Sequence, residues 1–150
     1  MQNKDTKELQ DLGNSYNTLK IEITYQDTDI GGMVYFANYF NYGEKARSKF
    51  LKSLLGFTKI NEELNWVVKS VQANYFKPVK IDSTLKCFSE IVELTRASLF
   101  FSHSFYNNSE LVQQHKVHLC CVNITGCPVR IPTTVFNIIK EITNKGVQTT

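Results

Sequence analysis

The chain has 150 residues, 42% of them hydrophobic and 21% charged, with a formal net charge of +3. That length suits one domain with a real core, and so mild a charge does not argue for a nucleic-acid partner. No apolar run approaches the ~20 residues of a membrane span. The first residues lack the apolar centre of a signal peptide, so no membrane insertion is expected and the cytoplasm is the default setting.

In chain order, residues 1–17 are read as a polar tail, residues 18–143 as the folded domain and residues 144–150 as a second tail. Residues 19–25 alternate apolar and polar positions, the mark of a half-buried strand. Asp27, Thr28 and Asp29 follow, and then the pair Gly31 and Gly32, which frees the backbone for a sharp turn and a close approach. From Asn38 onward Tyr39, Gly43, Ala46, Phe50 and Leu54 recur at helical spacing, widened by Phe40, Leu51 and Leu55. Glu44, Lys45, Arg47, Lys49 and Lys52 take the other positions, with Glu44 and Arg47 three apart as a simple ion pair. Gly56 reads as the helix stop.

Beyond Asn65 the pattern is mainly strand: residues 66–76, 84–94, 98–106 and 111–124, with turns at Pro78 to Ser83 and at Asn107 to Ser109. Ile131 and Pro132 lead into a short helix through Val135, Ile138, Ile139 and Ile142. One strand, a long helix and four antiparallel strands make an α+β domain whose sheet wraps around the helix. Such a sheet leaves edges and one face open, so a homo-oligomer is expected.

The turn before the long helix is where chemistry is expected. A helix start offers unpaired N–H groups and a positive dipole end, suited to a developing oxyanion. A carboxylate just ahead of it would lie beside any carbonyl bound there, and that combination suggests acyl transfer. The four cysteines (Cys87, Cys120, Cys121, Cys127) contain no C-x-x-C pair, and their spacing with His115 and His118 does not match a structural zinc site. They are read as reduced packing residues, with no metal and no cofactor. His103, His115 and His118 are read as structural residues on polar strand faces.

The run Asp27-Thr28-Asp29-Ile30-Gly31-Gly32-Met33-Val34-Tyr35-Phe36-Ala37-Asn38-Tyr39 resembles the signature of the hotdog-fold acyl-CoA thioesterases. Within them it is similar to the 4-hydroxybenzoyl-CoA thioesterase family and its YbgC-type, Tol-Pal-associated branch. Val67 to Ser70 and Asn74 to Val79 resemble that family's second strand and proline-containing bend. The likeness runs from about Leu19 to Ile142.

The resemblance implies a hotdog fold, a sheet around a long central helix, and hydrolysis of acyl-CoA at a site on a dimer interface, often in a dimer of dimers. It makes Asp29 the catalytic carboxylate, as nucleophile or as general base toward water. It gives the Phe36 backbone N–H the task of polarising the thioester carbonyl, with Gly32 allowing the approach. Asp27 is assigned to the turn. Asn38 is read either as the helix N-cap or as a hydrogen-bonding partner of the reacting groups, and Tyr35 as pocket wall. Arg96, and less strongly Arg130, are matched to coenzyme A phosphates. YbgC-type members usually carry His where this chain has Phe36. That departure keeps open a non-catalytic hotdog protein that binds an acyl ligand or scaffolds a complex.

Overall fold

The computed structural model describes residues 15–143 and 148–149. Strand β1 (Thr18–Glu22) ends earlier than its alternation predicts, because Tyr25–Asp27 turn into a single 3-10 turn. Helix α1 (Asn38–Leu55) follows, then strands β2 (Asn65–Tyr75), β3 (Thr84–Leu94), β4 (Ser98–Asn107) and β5 (Glu110–Val122), helix α2 (Thr133–Thr143) and the short strand β6 (Gln148–Thr149). The strands form one sheet in the order β1-β3-β4-β5-β2, antiparallel throughout, with β6 pairing in parallel to the end of β3 beside Glu93 and Leu94. The expected α+β layout is present. Residues 1–14, most of the first predicted tail, lie outside the described residues, as do 144–147 and 150 of the second.

Gly56 ends α1 in the left-handed conformation (φ 81°), its N–H on the Lys52 carbonyl, as a helix-stop glycine should. The helix start differs from expectation. Ala37 is the N-cap residue and caps with no side chain; Asn38 is the first helical residue, and its amide is used elsewhere. The buried face of α1 is also turned relative to the predicted stripe. Tyr39, Tyr42, Gly43, Ala46, Arg47, Phe50 and Leu51 are buried, so the expected polar position Arg47 lies inward.

Two apolar clusters fill the space between α1 and the sheet. One gathers Phe50, Leu51, Leu94, Leu99, Phe101 and Val117 with the inner face of α2. The other gathers Ile23, Val34, Tyr39, Tyr42, Leu85 and Phe105 near the start of the helix. Between them lies a polar patch that the sequence reading placed on the outer face. His103 and His115 are fully buried beneath α1, opposite each other on β4 and β5. Gly43 makes room for them: a Cβ there would lie 2.6 Å from Nε2 of His115 and 3.2 Å from Cδ2 of His103. His103 Nδ1 pairs with Ser89 Oγ at 2.7 Å, and His115 Nδ1 with Gln113 Oε1 at 3.0 Å.

Arg47 Nη1 approaches His103 Nε2 at 3.3 Å, rather than pairing with Glu44. Burial first, and the Arg47 charge with it, favour the neutral form of both imidazoles: His115 is held down to about 4, and His103, which also feels His115, well below its ordinary value. Only His118 matches its expected polar-face role, stacked on Phe100 and bonded to Ser98 Oγ at 2.8 Å. Cys87, Cys120 and Cys121 are buried free thiols, and Cys127 is free and exposed.

Candidate active site

The segment between the 3-10 turn and α1 folds back on itself as a miniature hairpin. Thr28 bridges Val34, the Asp29 N–H donates to the Met33 carbonyl at 2.8 Å, and the Gly32 N–H donates to the Asp29 carbonyl at 3.0 Å. Gly32 takes φ 76°, where a side chain is strained, yet nothing stands within 4 Å of where its Cβ would be. Its service is therefore the turn. Within the hairpin the tighter contact is at Gly31, whose Cβ would sit 3.3 Å from Asp29 Oδ1.

Asp29 is exposed on this hairpin. Its Oδ1 accepts the N–H groups of Gly31 (2.9 Å) and Met33 (3.3 Å), which fixes the carboxylate direction. Its Oδ2 has no hydrogen-bond partner among the described residues. Asp27 differs in every respect. Its Oδ1 accepts the Tyr42 hydroxyl at 2.6 Å, and its Oδ2 accepts the Thr24 N–H and hydroxyl at 2.9 and 3.0 Å. Burial works against its charge, but the Tyr42 and Thr24 bonds and the Lys45 charge together hold its carboxyl below the ordinary range. The Asp27 carbonyl meanwhile takes the Tyr35 N–H at 2.9 Å and the Asn38 amide at 2.8 Å. Asp27 is the anchor of the loop, and Asn38 is spent on that anchor rather than on capping.

Phe36 comes next, half-exposed, on the approach to α1. Its N–H donates to no group among the described residues, whereas its carbonyl accepts the Tyr75 hydroxyl from β2 at 2.8 Å. The Phe36 ring lies edge-on to Tyr35 and Tyr75, with centroids 4.9 and 6.3 Å away. Beside it opens a cleft of about 330 Å³ lined by Met33, Phe36, Tyr39, Tyr75, Pro78 and Val79. So a carboxylate with a free oxygen, a free backbone donor and an apolar cleft share one small region. Tyr35, expected as pocket wall, is exposed and is not among the residues lining this cleft.

Arg96 and Arg130 are brought together, but elsewhere. They share a cleft of about 260 Å³ with Ile131, Thr133, Phe136 and Asn137, at the start of α2. The Ile131 N–H on the Arg96 carbonyl (2.7 Å) holds the two loops side by side. Tyr75 pairs with Gln113 on β5, while Ser98, just past Arg96, pairs with Cys120. Seven residues of strand separate these rows, about 24 Å. The arginine cleft is thus at the far end of the sheet from Asp29.

Tyr42 and Tyr75 were not singled out in the sequence as site residues. Tyr42 carried a signal, since it follows Tyr39 by three residues and so shares its helix face. Tyr75 carried none beyond strand alternation.

The comparisons with known proteins bear on family and fold. The thioesterase superfamily model matches residues 31–113. The chain belongs to the thioesterase superfamily. Its hotdog fold is that of the superfamily. Among curated relatives, the acyl-CoA thioesterase YbgC of Haemophilus influenzae is 31% identical over 77% of this chain and 88% of its own length. Among solved structures, a probable thioesterase from Bartonella henselae superposes with a TM-score of 0.71 at 29% identity, covering 77% of this chain and 98% of that one. The DHNA-CoA thioesterase of Staphylococcus aureus superposes with a TM-score of 0.78 over 89% of this chain and 97% of its own; at 22% identity it speaks for the fold alone.

Proposed function

We propose that this thioesterase hydrolyses acyl-CoA, with Asp29 as its catalytic carboxylate and the Phe36 N–H as its oxyanion donor. The observation that carries the proposal is a fixed carboxylate on the short hairpin that keeps one oxygen unpartnered, and a backbone N–H, likewise unpartnered among the described residues, two residues past the bridge that closes it. The YbgC relative, an acyl-CoA thioesterase, supports the same class of substrate.

Two routes use this geometry. In the first, Asp29 attacks the thioester carbonyl, the C–S bond breaks with release of the CoA thiolate, and water then splits the mixed anhydride to regenerate the carboxylate. In the second, Asp29 takes a proton from a water that attacks the carbonyl, and the proton passes to the departing thiolate. Either way negative charge builds on the carbonyl oxygen, where the Phe36 N–H is free to receive it; one such donor contributes about 3 kcal/mol. The imidazole usual at this position in YbgC-type members enters neither route. Phe36 instead presents an apolar ring beside the cleft, suited to an acyl group.

Within one chain the arginine cleft lies too far along the sheet to be the near wall of this site. Among the described residues strand β2, eleven residues long, is an edge of the sheet, paired on its β5 side alone. Pairing of two such edges in antiparallel would bring the Arg96 and Arg130 end of one chain toward the Asp29 end of the other. We infer a dimer through β2 on this ground, with Arg96 and Arg130 serving coenzyme A phosphates across it and a dimer of dimers as the larger assembly. The free thiols suit a reducing, cytoplasmic setting. The direct test is thiol release from short, long and aromatic acyl-CoAs. Turnover on at least one class supports the proposal, and inertness toward all three refutes it.

A further inference from the structure

We infer that Glu44 and Arg47 form a reciprocal pair of ion bridges across a two-fold axis between two copies of this chain. The inference rests on the β2-edge dimer proposed above and names the contact that closes its helical layer.

Arg47 poses the problem. Its side chain is 8% exposed, and its charge is penalised first by that burial. A guanidinium so placed normally pairs with a carboxylate, because an unpaired buried charge costs several kcal/mol. Here no Asp or Glu oxygen lies within 4 Å among the described residues; the ion pairs present are Lys59–Glu62 and Lys77–Glu110. Among the described residues the one hydrogen bond on its guanidinium is to a neutral imidazole nitrogen of His103. Glu44, one turn earlier on the same helix, is exposed. It lies close enough to favour the Arg47 charge through its field, but makes no bridge.

Both residues line a groove of about 410 Å³ between α1 and β2, together with Leu51, Trp66, Val68 and Leu119. The groove floor is apolar and left open. Val68 (52%), Val71 (40%) and Tyr75 (45%) alternate in register with buried residues of β5 on the core face, yet α1 does not cover them. The indole Nε1 of Trp66 is buried there without a partner. A free strand edge beside an uncovered apolar face is an assembly surface.

Charge decides the occupant. In a two-fold interface, if residue i of one copy meets residue j of the other, then j also meets i. An exposed anion and, one helical turn on, a buried cation that borders the same groove, neither in an ion pair among the described residues, satisfy that condition at once. Glu44 of one chain meets Arg47 of its partner, and the partner's own pair completes the second bridge. A second copy therefore fits the groove by its own complementarity.

Sedimentation of wild type, Glu44→Gln, Glu44→Arg and Arg47→Glu chains tests this. Wild type is expected to dimerise. Glu44→Gln should weaken the dimer, and Glu44→Arg should raise its dissociation constant by at least about 30-fold, since each bridge then carries like charges. A mixture of Glu44→Arg with Arg47→Glu should form the mixed dimer in preference to either parent. If Arg47→Glu fails to fold, the Glu44 series in low and high salt still decides, because the gap between wild type and Glu44→Arg must narrow as salt rises. A Glu44→Arg dimer as tight as wild type overturns this contact while leaving the dimer and the hydrolysis reading in place. A monomeric wild type at tens of micromolar overturns the contact and the dimer together, and leaves the thiol-release result to judge the activity.

Discussion

The hydroxyl of Tyr42, on the buried face of α1, donates a 2.6 Å hydrogen bond to Oδ1 of Asp27. Through it the rigid helix holds the loop that carries Asp29, because the same Asp27 receives Tyr35 and Asn38 on its carbonyl. Burial and the carboxylate raise the Tyr42 hydroxyl far above its ordinary pKa, so it remains a donor at every physiological pH.

Tyr42→Phe keeps the ring and removes only that donor. The loop should loosen, costing roughly 1.5–3 kcal/mol of stability, the range for a hydrogen bond to a charged acceptor. Turnover should fall by about tenfold with KM nearly unchanged, since misplacement of the carboxylate acts on the chemical step. Thermal melts and steady-state rates on one acyl-CoA check both numbers.

The buried imidazoles make acid sensitivity a second expectation. His115 is held down to about 4 and His103 well below its ordinary value, by burial first, so the unfolded chain binds protons that the native core refuses. Stability is therefore fully present above the unfolded value of about 6.5 and is lost as pH falls from there toward 4. For His115 alone the loss reaches on the order of 3 kcal/mol at pH 4. Melting temperatures from pH 8 to 4 should stay level and then fall, and His115→Leu should flatten part of that fall.

How much of this was legible in the sequence depends on which force set each feature. The strand alternation of β3, β4 and β5, the Gly56 stop and the role of Asp27 in the turn are local, and local pattern carried them. Arg47 was not legible, because a charged residue three positions from Glu44 reads as a surface pair. Only the opening left by Gly43, and the histidines that fill it from two distant strands, turn it inward. Asn38 was read on residue type as either a cap or a partner of the reacting groups. Its amide goes to Asp27 eleven residues back, a contact that exists only once the hairpin has closed. The pairing of Arg96 with Arg130 required the β4 and α2 approaches to meet, which no short-range pattern encodes.

That pairing gives a third expectation. Arg96→Ala should raise KM for acyl-CoA by roughly tenfold or more, the worth of a charge-assisted phosphate contact. The same change should leave the corresponding acyl-pantetheine, which lacks the nucleotide, unaffected. Equal losses on both substrates would remove Arg96 from phosphate binding.

The central claim is that the free oxygen of Asp29 does the chemistry, and Asp29→Asn tests it most directly. The amide keeps the shape and the Oδ1 contacts with Gly31 and Met33 but removes the negative charge. Measured by thiol release on the best acyl-CoA, with calorimetry to show that substrate still binds, turnover should drop by roughly 10²–10⁴-fold while the melting temperature stays close to wild type. Turnover near the wild-type level in that variant would contradict the account and place the reacting carboxylate elsewhere.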